Sequence, residues 1–324
     1  MTKAIRILRT GGPEVLSWED VSVPDPGPGQ VRVRHSAVGL NYIDTYHRSG
    51  LYPVTLPSGL GLEAAGVIEA VGEGVTGFTV GDRVCYGTGP IGAYAEARVM
   101  PTATLLRTPA GIDDRTAAAV MLQGMTAEYL LRRTFKVERG MTILVHAAAG
   151  GVGLLLCQWA SHLGAIVIGT VGSDAKAALA KAHGCAHPIV YSRDSFVDSV
   201  KDITAGQGVA VVYDGVGKDT FAGSLDCLAP RGMMVPFGNA SGPVPPVDPL
   251  VLTQKGSLFL TRPSLMHYTA KRNELEDSAA AVFDVIASGA VKVRVDHTYP
   301  LSDAAQAHRD LEGRKTTGSV VLIP

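Results

Sequence analysis

The segment L-V-H-A-A-A-G-G-V-G-L-L-L-C-Q-W-A, Leu144 to Ala160, decides the fold. A short apolar run enters a turn of small residues and leaves with a helical apolar period, the pattern by which a strand hands over to a helix whose N-terminus faces an anion. Set against G-x-G-x-x-G, the stretch Ala148–Gly153 keeps the second and third glycines as Gly150 and Gly153, and Ala148 stands for the first. The second glycine lets a pyrophosphate approach the backbone, the third lets the helix close on its strand, and the first needs only a small residue in a tight turn. Gly150, Gly151 and Gly153, with Val152 among them, are therefore candidates for the phosphates of a dinucleotide.

Working outward, the sequence predicts strands at M-T-I-L-V-H-A, A-I-V-I-G-T-V, P-I-V-Y, V-A-V-V-Y-D-G-V-G, G-M-M-V-P-F-G-N and G-S-L-F-L, with helical segments between them. Six strands alternating with helices make a doubly wound parallel sheet. The proline-rich stretch Ala240 to Leu250 reads as a surface loop, and Met121 to Arg133 as a helix. Upstream, from Val31 to Val99, short alternating runs punctuated by Gly, Pro and Asp predict half-buried antiparallel strands. A helix near Asn273 to Ala287 and two further strands at the carboxyl end have the texture of the amino-terminal half, so the chain is expected to return to its first domain. The boundaries are residues 1–122 with 264–324 for the β-rich domain, and 123–263 for the doubly wound one.

At 324 residues the chain is long enough for two cores. Lys and Arg number 29 and Asp and Glu 30, with no long run of one sign, which argues against nucleic acid and a membrane surface and for a small partner. No stretch reaches the roughly 18 apolar residues of a membrane span. The amino terminus alternates and reads as a strand, not a signal peptide. Cys85, Cys157, Cys185 and Cys227 are widely spaced, which fits buried thiols in a reducing cytoplasm better than disulfides or a zinc knuckle.

An NAD site places a carboxylate about 20 residues beyond the glycine turn, at the end of the second strand. Here that strand ends in Thr170, Val171 and Gly172, followed by Ser173, with Lys176 one turn later. A hydroxyl and an ammonium suit a 2′-phosphate, so NADPH is the expected cofactor, held by Gly172, Ser173 and Lys176 with Tyr191 or Arg193. A solvated surface lysine is the competing reading of Lys176, and Asp174 sits uncomfortably close.

The segments Gly61 to Val84, A-A-A-G-G-V-G and Val38 to Tyr46, together with V-V-Y-D-G-V-G and the G-S-V-V-L-I-P terminus, resemble the zinc-free quinone oxidoreductase branch of the medium-chain dehydrogenase/reductase superfamily. The resemblance covers essentially the whole chain. It implies an α/β fold in which a GroES-like β-rich catalytic domain is split around a Rossmann domain with a six-stranded parallel sheet. Zinc enzymes of the superfamily carry a cysteine ligand and a histidine where this chain has Asn41 and Leu62, and they have a cysteine-rich lobe that is missing here. No set of three metal ligands is evident, so no metal is expected. His35, His47 and His146 read as ordinary domain residues, and Glu63 as a maker of structural hydrogen bonds.

Without a Lewis acid, alcohol oxidation lacks stabilisation for its developing charge, whereas a quinone or conjugated enone delocalises the incoming charge onto oxygen. In N-Y-I-D-T-Y-H-R-S-G-L-Y-P, the residues Asn41, Tyr42, Tyr46 and Tyr52 are expected to form a flat aromatic slot with amide and phenol donors, the alternative being simple packing. The resemblance further implies that Asn41 and Tyr46 approach the nicotinamide. It also implies that Thr126, Val216, Gly217, Phe237, Gly238, Ala240 and Arg314 contact the cofactor. The expected activity is NADPH-dependent reduction of a small planar quinone. Reduction of alkenal or enone double bonds, and a cofactor-binding protein without turnover, are the alternatives. The last Rossmann strand, Lys255 to Leu260, is apolar on both faces, and covering it predicts a homodimer.

Overall fold

The strand Thr142–Val145 lies inside a six-stranded parallel sheet, flanked by Ile166–Val171 on one side and Val209–Asp214 on the other. His187–Val190 extends the sheet beyond the second strand, and Leu228–Pro236 and Phe259–Leu260 extend it beyond the fourth. In chain order the sheet therefore reads 3-2-1-4-5-6, with the reversal beside the first strand, where such sheets open a crevice at their carboxyl edge. Leu144, Ile168, Ile189, Val212 and Met234 are buried against Val200, Phe221 and Leu225 of the crossover helices. Burial on both faces is why these strands appear in the sequence as unbroken apolar runs.

This computed structural model describes residues 2–324. The chain divides into two compact units. One comprises the residues up to Met125 with Thr269–Ala287 and Val293–Pro324, and the other Thr126–Tyr268 with Ser288–Lys292. In the first unit Gln30–Leu40 pairs antiparallel with Ala64–Val71, Ala97–Pro101 and Ser319–Ile323. Arg83–Tyr86 and Leu106–Arg107 continue the sheet on one side and Val295–Pro300 on the other. Its core holds Val31, Val33, Ile68, Val84, Met100, Leu105 and Leu322. The β-rich and doubly wound halves expected from the sequence are both found.

Several elements differ in extent from the sequence expectation. The last strand is only Phe259–Leu260; Lys255 closes the helix Pro249–Gln254, and Gly256, at φ +109°, turns the chain into the strand. That helix begins inside the proline-rich stretch, because Asp248 accepts a hydrogen bond from Leu250 N and Pro249 occupies a first-turn position that needs no N–H donor. The fifth strand starts at Leu228, ahead of the G-M-M-V-P-F-G-N run, and takes in L-A-P. Met121–Arg133 is the second half of a longer helix, Asp114–Tyr129, continued by a π turn, Leu130–Thr134.

Candidate functional site

The glycine turn sits at the carboxyl end of Thr142–Val145, and the helix Gly151–His162 starts from Gly150 with no side-chain cap. The first-turn amides of an uncapped helix are donors that seek an anion. A Cβ on Gly153 would lie 2.2 Å from Ala147 O, so only glycine permits this closure of helix on strand. Ala148 at the first motif position is accommodated from the neighbouring strand. A Cβ at Gly169 would come within 2.7 Å of the Ala148 methyl and equally close to Cys185 Sγ, so the absent side chain of Gly169 makes the room. This turn fits a pyrophosphate.

At the end of the second strand, Ser173 caps the helix Asp174–Ala182 by accepting from Lys176 N. Tyr191 follows the third strand directly, with its phenol over Gly172, where an added Cβ would meet the oxygen at 3.0 Å. Gly172, Ser173, Lys176 and Tyr191 are thus gathered at one corner. Arg193 pairs with Asp174 at 3.2 Å and with Asp194 at 3.3 Å. The carboxylate that looked adverse to a 2′-phosphate therefore has a guanidinium on it.

The loops after the fourth and fifth strands are knitted together by Asp214, a fully buried residue that sequence reasoning did not single out. Its Oδ1 accepts from Val216 N and Gly217 N, and its hydroxyl neighbour Thr220 donates to both oxygens. Ala240 N donates to Gly215 O and Ser241 N to Val216 O. Val216, Phe237, Gly238 and Ala240 accordingly share one backbone assembly at the carboxyl edge. Thr126, the first residue of this unit, is buried on the helix Asp114–Tyr129. Arg314 belongs to the other unit, with φ +58° just beyond the helix Ala304–Glu312.

In the first unit, Asn41 caps the helix Tyr42–Ser49 and is buried in a polar chain. Ser319 Oγ donates to Gln123 Oε1 at 2.8 Å, Gln123 Nε2 to Asn41 Oδ1 at 3.0 Å, and Asn41 Nδ2 to Glu63 Oε2 at 2.7 Å. Leu122 N closes the chain on Glu63 Oε1, also at 2.7 Å. An ionised carboxylate only accepts, so it fixes the direction of every donor behind it and stops the Asn41 amide from flipping. One Nδ2 hydrogen goes to Glu63, and the second remains to serve an acceptor. Burial pushes the Glu63 carboxyl up to about 8, opposed by the Asn41 and Leu122 donors and assisted by the nearby Asp44.

Tyr46 meets Tyr52 edge-on with ring centroids 5.2 Å apart, and Tyr42 is 6.3 Å from Tyr46. The expected four-membered slot needs one correction. Tyr42 donates its phenol to Leu311 O, so that hydroxyl is engaged in holding the helix down. The aromatic cluster continues instead to His47, whose ring lies 5.9 Å from Tyr52.

Behind this helix runs a second buried chain that the sequence did not reveal. Asp44 Oδ2 accepts from Asn41 N and from the Tyr94 phenol; Tyr94 in turn contacts His308 Nε2 at 3.1 Å. Arg48 reaches His308 Nδ1 at 2.9 Å and grips Glu312 with two bonds of 3.0 and 2.7 Å. Burial and the Arg48 charge push His308 down to about 3, so its ring is neutral; it accepts at Nδ1 and donates from Nε2. Burial pushes Asp44 up to about 7. The clue available beforehand was the spacing of Asn41 and Asp44, an N-cap followed three residues later by an acid.

His35 is buried, donating from Nδ1 to Ala95 O and accepting at Nε2 from Tyr86. His146 bridges Thr170 and Ser224. Leu62, standing where the zinc enzymes have a histidine, is a buried aliphatic residue. Among the described residues no group of three His, Cys, Asp or Glu side chains is placed to hold a metal, and no helix is long and apolar enough to cross a membrane. All four cysteines are buried thiols.

Comparison with known proteins adds the following. Residues 27–110 match the model of the alcohol dehydrogenase GroES-like domain, and residues 151–285 that of the zinc-binding dehydrogenase domain. A quinone oxidoreductase of Pseudomonas aeruginosa is 53% identical over 325 residues, covering all of both chains. A 2-haloacrylate reductase of a Burkholderia species is 48% identical, covering 100% of this chain and 99% of its own length. The crystal structure of the Escherichia coli quinone oxidoreductase complexed with NADPH superposes with a TM-score of 0.98 at 48% identity, covering 99% of this chain and 100% of that one.

Proposed function

The chain belongs to the quinone oxidoreductase branch of the medium-chain dehydrogenase/reductase superfamily, and from that premise we propose that it reduces quinones with NADPH, without a metal ion. NADPH, when bound, supplies the hydride. The chain's own residues bind, orient and shield. The uncapped turn Gly150, Gly151 and Val152 presents amides to the pyrophosphate, and Ser173, Lys176 and Tyr191 surround the 2′-phosphate. Thr126, Val216, Phe237, Gly238, Ala240 and Arg314 complete the cofactor contacts. Support for the phosphate assignment comes from Arg193, which brings a guanidinium to the corner and pairs with Asp174 there.

The observation that carries the reaction is the oriented amide of Asn41. Its Oδ1 is taken by Gln123 and one Nδ2 hydrogen by Glu63, so the other is a donor of fixed direction, suited to the oxygen that gains charge as an acceptor takes up hydride. Tyr46 and Tyr52 offer aromatic surface to a flat ring. A preoriented donor needs no rearrangement as charge develops, which is how an acceptor as electron-poor as a quinone is reduced without a Lewis acid. We place the protein in the cytoplasm and propose a homodimer joined through Phe259–Leu260, an edge strand whose Phe259 side is 58% exposed.

Reduction of an activated carbon–carbon double bond is the second reading, favoured by the 2-haloacrylate reductase relative. One assay separates the two. NADPH oxidation is followed against benzoquinones, naphthoquinones, enals, haloacrylates and simple alcohols, with and without a chelator. Turnover of quinones that survives chelation supports the proposal. Turnover confined to the alkenes selects the second reading, and loss of activity on chelation overturns the metal-free mechanism.

A further inference from the structure

We propose that His146 is a positioning residue for the coenzyme, holding the two halves of the dinucleotide site at a fixed spacing; the inference deepens the NADPH reading above and rests on it. His146 stands one residue beyond the strand Thr142–Val145, beside which the strand order reverses. A sheet of this kind consists of two mononucleotide-binding halves, and the dinucleotide lies across the crevice between them. The second strand, with Thr170, belongs to one half. The fourth strand, with Asp214 and the loop that follows it, belongs to the other.

A line of buried hydrogen bonds joins the two halves through His146. Its Nδ1 lies 2.8 Å from Thr170 Oγ1 and its Nε2 2.8 Å from Ser224 Oγ. Ser224 Oγ donates its one proton to Thr220 O, also at 2.8 Å, so toward His146 it only accepts. Burial pushes the imidazole pKa down, against the pull of the Asp214 carboxylate, so the ring is neutral and carries one N–H. That proton sits on Nε2, and Nδ1 accepts from Thr170. Every donor therefore points from the second strand toward the fourth. The line ends at Thr220, whose hydroxyl is bonded to Asp214, which in turn holds Val216 N and Gly217 N. His146 and Thr170 are each 1% exposed, and Ser224 and Asp214 are fully buried. The backbone follows the same path: His146 N donates to Tyr213 O and Ala148 N to Thr170 O, both at 3.0 Å. The entry to the glycine turn is thus tied to the second strand on one side and to the fourth on the other. A buried polar line with every member satisfied has a single geometry, which is what a fixed spacing requires.

The test uses the intact protein with Thr170→Val and Ser224→Ala, which cut the line on opposite sides of His146 with little change in volume. Calorimetric titration compares NADPH with adenosine 2′,5′-bisphosphate, which fills one half of the site only. Each variant should bind the bisphosphate within about twofold of the wild type and NADPH about tenfold more weakly, the worth of one buried hydrogen bond. The double variant should lose no more than the larger single loss, because both substitutions interrupt one line. Thr170→Ser keeps the donor and should bind both ligands as the wild type does. Unchanged NADPH affinity in the single variants, an equal fall for the bisphosphate, or losses that add in the double variant would each overturn the positioning role and leave the cofactor reading intact. A wild-type protein that binds neither ligand overturns both.

Discussion

Asn41 and Glu63 are joined by a 2.7 Å hydrogen bond, Nδ2 to Oε2, with Glu63 fully buried and Asn41 nearly so. The carboxylate form holds the amide in one orientation, and burial raises the ionisation of Glu63 to about 8. Turnover should therefore rise as pH rises through about 8, and Glu63→Gln should remove that inflection from the kcat profile. A glutamine offers one acceptor oxygen to two N–H donors, so the variant should also lose about 1 to 3 kcal/mol of stability. A kcat profile with the same inflection in the variant would count against the role given to Glu63.

Lys176 and Ser173 stand at the corner assigned to the 2′-phosphate. Lys176→Ala should lower kcat/KM for NADPH about tenfold or more, in keeping with the loss of one charge-assisted bond, and leave NADH unaffected. Unchanged discrimination between the two coenzymes would remove the assignment.

Tyr46 and Tyr52 meet at 5.2 Å and are expected to face the acceptor. Replacing both by alanine should depress quinone turnover by an order of magnitude or more, the loss of about 1.4 kcal/mol or more, while NADPH affinity, followed by fluorescence titration, stays within about twofold, some 0.4 kcal/mol. Equal losses in both would mean that the pair supports the fold and not the substrate.

Arg48 is buried with its guanidinium shared among Gly11 O, His308 and Glu312. Arg48→Ala leaves buried His308 and Gly11 O without their donor while exposed Glu312 returns to water, and should cost on the order of 1 to 3 kcal/mol in unfolding free energy, measured by denaturant titration.

His35 is buried and neutral, its pKa pushed down to about 4 by loss of solvation against an ordinary value of 6.5. A lowered folded-state value gives a stabilising contribution that is present above pH 6.5 and lost as pH falls toward 4, on the order of 3 kcal/mol in full. His308 works in the same direction. Asp44 and Glu63 have raised values and work in the opposite one, losing their contribution as pH rises from about 4 toward 7 and 8. Scans of His35→Gln beside the wild type isolate one group from this balance: the gap between their unfolding midpoints should narrow from pH 6.5 to pH 4. A constant gap would mean that His35 does not titrate in this way.

The sheet was legible because its strands are buried on both faces and its turns are marked by glycine, as in Ile143 to Val145 running into Ala147 to Gly153. What escaped were features set by partners far away in the chain. Gln123 reaches Ser319 across 196 positions, and Arg48 reaches His308 across 260, spacings that no local period encodes. Tyr42 read as a substrate donor because its neighbours are aromatic, yet Leu311 O, 269 residues on, accepts its hydrogen bond. The short last strand was overdrawn because the apolar run Leu258 to Leu260 was extended back through Lys255, Gly256 and Ser257, while the capped helix Pro249–Gln254 governs where the chain turns.

The vacancy at Gly169 makes the methyl at Ala148 affordable, and it couples two sites that lie 21 positions apart in different elements. Recognition of such turns should accordingly score the pair jointly: a methyl at the first place is tolerable while the adjoining strand keeps glycine, and a methyl on both is not. Alanine at the first place is thus a property of two neighbouring strands at once and not of the loop alone.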